Sequence, residues 1–162
     1  MPATGEAGVD PQSLFYASKH YQRLRENNIA VHLYMDGGYA HSPFNRATMP
    51  GADVHVNSSF DEALVQLNGQ LARQERAYHF IYVFSVDVAS HHYGPGSPEF
   101  AAELERVFGE LDRWYQHAVK SAGNTLILLF ADHGAVEMDP ASTVYLDKEL
   151  PDLFVQGPKK EF

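Results

Sequence analysis

Two strongly apolar, strand-length runs separated by one long amphipathic helix constrain this chain more than any other feature. The first run is His79-Phe80-Ile81-Tyr82-Val83-Phe84-Ser85-Val86, and the second is Thr125-Leu126-Ile127-Leu128-Leu129-Phe130-Ala131. Between them, Ser97-Pro98-Glu99 opens a helix, with serine as N-cap and proline at the first helical position. Leu104, Val107, Phe108, Leu111, Tyr115 and Ala118 supply its apolar stripe, and Gly123 closes it. A strand–helix–strand unit predicts a right-handed crossover between parallel strands. Both strands then finish on one edge of the sheet, the edge where α/β folds bind ligands.

The residues at the exit of each strand are chemically unusual. Asp87 comes after the first, with His91 four residues on; Asp132 and His133 come directly after the second, before Gly134. Carboxylate oxygen and imidazole nitrogen are both donors to zinc. Asp87 and His91 are about one helical turn apart if the chain coils after the strand, so both can face one ion. His92 is their neighbour, but its side chain would point elsewhere. Asp132 and His133 are adjacent and diverge in a strand; a sharp turn at Gly134 is expected to bring them together. Two such pairs on one edge suit two metal ions about 3.5–4 Å apart, which can grip both oxygens of a phosphoryl displacement. A hydrolase is the reading these residues favour, with zinc the first choice and manganese the alternative.

Elsewhere the pattern alternates helix and strand. Gln12 to Asn27 reads as a helix with Leu14, Phe15, Ala17, Tyr21 and Leu24 near one face. Ile29 to Met35 reads as a strand, and Asp36 as a turn residue before Gly37-Gly38. Asp36 to Asn57 has little periodicity and reads as a long connection. Ser59 and Glu62 form a capping box for a helix reaching about Arg76, with Leu64, Leu67 and Leu71 inward. Pro151 to Val155 reads as a short strand or a loop. His20, His32, His41, His55, His79 and His117 lack a strand-end context and are expected at the surface or partly buried.

The 162 residues suffice for one compact domain with a core. A net charge of −9 argues against a nucleic-acid-coating role, which needs a basic face. It leaves an anionic substrate open, because bound divalent cations reverse the local field. With no cysteine, any metal must be held by nitrogen and oxygen. No apolar run reaches membrane-spanning length, and Met1 to Gly8 has neither the basic nor the apolar part of a secretion signal, so a cytoplasmic location is expected.

Asp87-Val88-Ala89-Ser90-His91-His92-Tyr93-Gly94-Pro95 resembles the Asp-x-x-x-His-x-x-Gly-Pro signature of the type I phosphodiesterase/nucleotide pyrophosphatase family, within the alkaline phosphatase superfamily. Ala131-Asp132-His133-Gly134 resembles its second signature, and Tyr39 to Pro43 and Pro50 to Ala52 resemble its middle segment. The likeness runs from Ile29 onward. It implies an α/β fold with a mainly parallel sheet, flanking helices and an alkaline-phosphatase-like core. It also implies two divalent ions, usually zinc, and cleavage of a small phosphodiester or nucleotide pyrophosphate. Asp87 and His91 would bind one ion, and Asp132 and His133 the other. The family's upstream nucleophile segment and downstream histidine segment find no match, so 1–162 reads as the middle of a larger catalytic domain. Ser42 and Thr48 do not stand in the nucleophile's context, which leaves the catalytic nucleophile unknown. The rival readings are a non-catalytic metal-binding or interaction domain, and a sulfatase- or phosphomutase-type member of the superfamily. A partial sheet would expose apolar surface, so self-association or a complementary polypeptide is expected.

Overall fold

The computed structural model describes residues 19–73, 76–118 and 124–149. Its centre is a three-stranded parallel sheet in the order β2-β1-β3, made of β1 (Ala30–Asp36), β2 (Asp53–Asn57) and β3 (Ala77–Ile81). In register, Leu33 of β1 lies beside Val54 of β2 and Phe80 of β3.

Helices cover both faces, because β1 is buried along Val31 to Met35 and its alternate residues serve two different layers. Val31, Leu33 and Met35 pack under α1 (Lys19–Glu26), through Tyr21 and Leu24, and against Met49, Val54, Tyr78 and Phe80. Tyr34, on the opposite face, packs with Ala63, Leu64 and Leu67 of α4 (Phe60–Leu71) and with Trp114 of α6 (Pro98–His117). Tyr21 and Leu24 therefore hold the inward positions expected of the first helix; its proposed residues 12–18 lie outside the described residues.

The segment from Asp36 to Asn57 is structured, contrary to expectation. Asp36 caps α2 (Gly37–Ala40) by accepting from the Gly38 amide at 2.8 Å. Ser42 caps α3 (Pro43–Thr48) by accepting from the Asn45 amide at 3.1 Å. Pairing alongside β1 then makes Asp53–Asn57 a strand, although three of its five side chains are polar. Buried Asn45 ties these turns to the sheet, donating to the Tyr39 carbonyl at 2.6 Å and to Met35 Sδ at 3.2 Å.

The capping box of α4 is displaced by one residue. Ser59 accepts from the Glu62 amide at 3.4 Å, but Glu62 reaches back to the amide and hydroxyl of Ser58, both at 2.7 Å. In α6, Ser97 is the N-cap and Pro98 the first residue, as the sequence implies. Leu104, Val107 and Leu111 are half-buried, whereas Phe108 and Tyr115 are exposed and Trp114 takes the inward place.

The second motif run departs furthest from expectation. Thr125 to Ala131 belongs to no strand, and Leu126 and Phe130 are 82% and 73% exposed. The expected crossover to a parallel partner of β3 is therefore not formed among the described residues. An apolar run alone could not foresee this, because a strand needs a neighbouring edge as well as an apolar sequence. After a short 3₁₀ turn (Pro140–Ser142), α7 (Leu146–Glu149) is the last described element. Gly123 and residues 151–155 lie outside the described residues.

Candidate active site

Asp87 owes its position to an early end of β3. The strand stops at Ile81 rather than Val86, although the Tyr82 amide still donates to the Tyr34 carbonyl at 3.1 Å. Ser85 then starts α5 (Ser85–Tyr93), placing Asp87 in its first turn and His91 in its last. A carboxylate in the first turn and imidazoles in the last both suit the helix dipole. The helix ends on Gly94, whose φ of +86° and ψ of 150° favour glycine strongly.

The coil anticipated after the strand brings Asp87 and His91 together, with His91 Nε2 3.4 Å from Asp87 Oδ1. His92 does point elsewhere. It lines the groove between α5 and α6 with Phe84, Tyr93 and Arg106.

The second pair reaches the same place without a strand behind it. His133 Nε2 lies 4.0 Å from Asp87 Oδ1 and 3.9 Å from Asp132 Oδ1. Asp132 also accepts from the His133 amide at 3.1 Å, and His133 Nδ1 lies 3.0 Å from the Gly134 carbonyl. That carbonyl, then Asp132 and more weakly Asp87, push the His133 pKa up. Gly134 acts here through its carbonyl rather than through a left-handed backbone. Positive φ among the described glycines is confined to Gly51 and Gly94, and a Cβ on Gly134 would meet no atom within 4 Å.

His91 and His133 thus approach Asp87, and Asp132 lies beside His133; the four side chains are 41–78% exposed. The donors are two carboxylates and two imidazoles, a set that fits zinc or manganese. Their spacing is that of ion pairs, and among the described residues no group of three is drawn into a closed metal shell. Tyr82 feels the site's charge: burial, then Asp132 and Asp87, push its pKa up.

The two hydroxyls of the loop read from the sequence, Ser42 and Thr48, have structural tasks. Ser42 is occupied as a cap, and Thr48 Oγ1 donates to the Phe44 carbonyl at 2.9 Å. Asp36, read from the sequence as a turn residue, is instead the last residue of β1 and the N-cap of α2.

Residue-by-residue reading missed a second polar assembly. His32, His55 and His79 meet across three strands beneath α4, with Tyr34 among them. Only the register brings them together, so the available signal was one histidine in each of three strand-forming segments.

The family model described as type I phosphodiesterase / nucleotide pyrophosphatase matches residues 4–155. Among curated proteins, the human ectonucleotide pyrophosphatase/phosphodiesterase family member 1 is 28% identical, over 64% of this chain. The chain spans about 13% of that relative's length. No solved structure matches significantly.

Proposed function

The chain belongs to the type I phosphodiesterase / nucleotide pyrophosphatase family, and on that footing we propose that it carries metal-binding residues of a phosphodiester- or nucleotide-pyrophosphate-cleaving hydrolase. The observation that carries this reading is the Asp87 carboxylate, set between the imidazoles of His91 and His133. Asp87 and His91 would hold one divalent ion, and Asp132 and His133 a second. Such ions supply charge stabilisation to a transferring phosphoryl group. The protein's own contribution is positional. α5 fixes Asp87 and His91 one turn apart, and the Gly134 carbonyl orients the His133 ring so that Nε2 faces Asp87. The protein's acidic charge would otherwise repel an anionic substrate, and two bound cations would reverse that field locally.

Neither Ser42 nor Thr48 is assigned as nucleophile, because Ser42 caps α3 and the Thr48 hydroxyl donates to the Phe44 carbonyl within that helix. The reading of 1–162 as one portion of a larger catalytic domain is part of this proposal, and it is compatible with the 13% share of the human relative that the chain spans. The test is an equilibrium zinc titration of the chain beside His91→Ala and His133→Ala, with hydrolysis of an aryl phosphodiester as second readout. The proposal expects zinc binding that both substitutions weaken at least tenfold. Binding indifferent to both would overturn the ligand assignment.

A further inference from the structure

Outside the candidate active site, three imidazoles and one phenol meet across the three strands of the sheet. His32 of β1 stands beside His79 of β3 in register, their rings stacked at 5.0 Å and 12°. His55 of β2 stacks on Tyr34 at 4.7 Å and 14°. Two polar contacts join the four rings: His32 Nδ1 to His55 Nε2 at 3.0 Å, and Tyr34 Oη to His79 Nδ1 at 3.2 Å. His32 is 6% exposed and Tyr34 fully buried.

We propose that this cross-strand assembly is an acid-sensitive latch: protonation of its imidazoles loosens the α4–α6 layer from the sheet. A bond between two imidazoles needs one ring nitrogen bearing a proton and one without, so the His32–His55 contact cannot survive with both rings protonated. The Tyr34 hydroxyl can donate to His79 Nδ1 or accept from it, so that contact persists in either state. Protonating the assembly sets cations against one another on rings 5.0–5.2 Å apart, in a place where charge is poorly solvated.

The surroundings offer little to offset this. α4 presents Phe60, Ala63, Leu64, Leu67 and Leu71 to the same core, and α6 presents Trp114. Gln66 of α4 donates to the Val56 carbonyl at 2.9 Å, while its Oε1 is buried without a partner. On α6, Glu103 and Glu110 are both bound by Arg106. On α4, Asp61 and Glu62 are exposed, and serines at the helix entrance hold both below the usual carboxylate range. The carboxylate that acts on the cluster is Asp53 of β2, which favours the His55 cation less than burial and His32 disfavour it. Burial, followed by His32 and His55, pushes His79 down to about 4.

These shifts fix the direction of the pH response. A histidine whose folded pKa lies below its unfolded value near 6.5 adds stability that is complete above pH 6.5. That stability drains away as pH falls toward the folded value. Ordinary carboxylates titrate mainly below about pH 4.5, so the interval between pH 6.5 and 5 isolates the imidazoles.

The experiment tracks the imidazole resonances of the full chain between pH 7.5 and 4.5. Over the same range it measures backbone amide exchange, corrected for intrinsic pH dependence, with His79→Gln and the exposed control His117→Gln alongside. The latch predicts that His79 remains neutral in the folded protein at pH 5. It also predicts that opening at Leu64 and Leu67 of α4 increases at least tenfold from pH 6.5 to 5 in the wild type and His117→Gln, and less than threefold in His79→Gln. An ordinary midpoint near 6.5 for His79 would overturn the proposal, as would an equal pH response in His79→Gln. Should His79→Gln fail to fold, the wild-type resonances and α4 exchange decide the matter: flat exchange from pH 6.5 to 5 overturns the latch.

Discussion

Asp87 illustrates how much of the candidate site one residue position can carry. Its carboxylate approaches two imidazoles on segments far apart in sequence, so Asp87→Ala should weaken zinc binding more than His92→Ala, whose ring lies in the neighbouring groove. Parallel zinc titrations check this, and equal losses would show that Asp87 has no special place. His133 adds a pH dependence. Its neighbours raise its pKa, so the metal-free ring holds its proton to higher pH than an ordinary histidine does, and a metal must displace that proton. Zinc affinity should therefore rise with pH through 6.5 and beyond, and should rise less steeply in His133→Ala. The two glycines of the signatures differ as well. Gly94→Ala forces a side chain into a region of φ and ψ that is nearly glycine's own, and should cost about 1–3 kcal/mol in urea denaturation. Gly134→Ala should change stability by less than about 0.5 kcal/mol, because its Cβ would stand in open space.

At the scale of elements, legibility tracked the reach of each signal. Ser97 and Pro98 announced α6 by local hydrogen bonding, and Ser59 announced α4; both begin where those residues place them. β1 was legible because its apolar run is covered from both sides. β2 escaped because Asp53, His55 and Asn57 resemble loop composition, and only the pairing with β1 reveals Val54 and Val56 as strand residues. Thr125 to Ala131 errs in the opposite direction: its composition is that of a strand, yet it gains no ladder. The closeness of Asp87 and His91 in the candidate site was legible because they interact locally within a helix. The approach of His133 to Asp87 is tertiary and was reached only by supposing parallel strands. An element-level test lies in α4. Leu67→Ala should cost about 2–5 kcal/mol, since Leu67 is buried against Tyr34, whereas exposed Val65→Ala should cost under about 0.5 kcal/mol.

For the molecule as a whole, the sheet is covered on both faces, while an apolar run outside it stays exposed. Leu126, Leu128, Leu129 and Phe130 form an exposed run of the kind that promotes association. The sedimentation coefficient should increase with concentration, and Leu128→Ser with Phe130→Ser should reduce that increase without lowering the unfolding midpoint. A monomer at every concentration would show that other parts of the chain shield this run. None of the described helices is long and apolar enough to cross a membrane. The strand alternation of β1 has one last consequence. A slip of one residue against β2 or β3 would turn the imidazoles and Tyr34 toward the aliphatic layer under α1, where the observed contacts between rings would be lost. The histidines thus serve as a registration mark. They make one alignment of three short strands distinguishable from its neighbours, a choice that hydrocarbon on both faces would leave nearly degenerate.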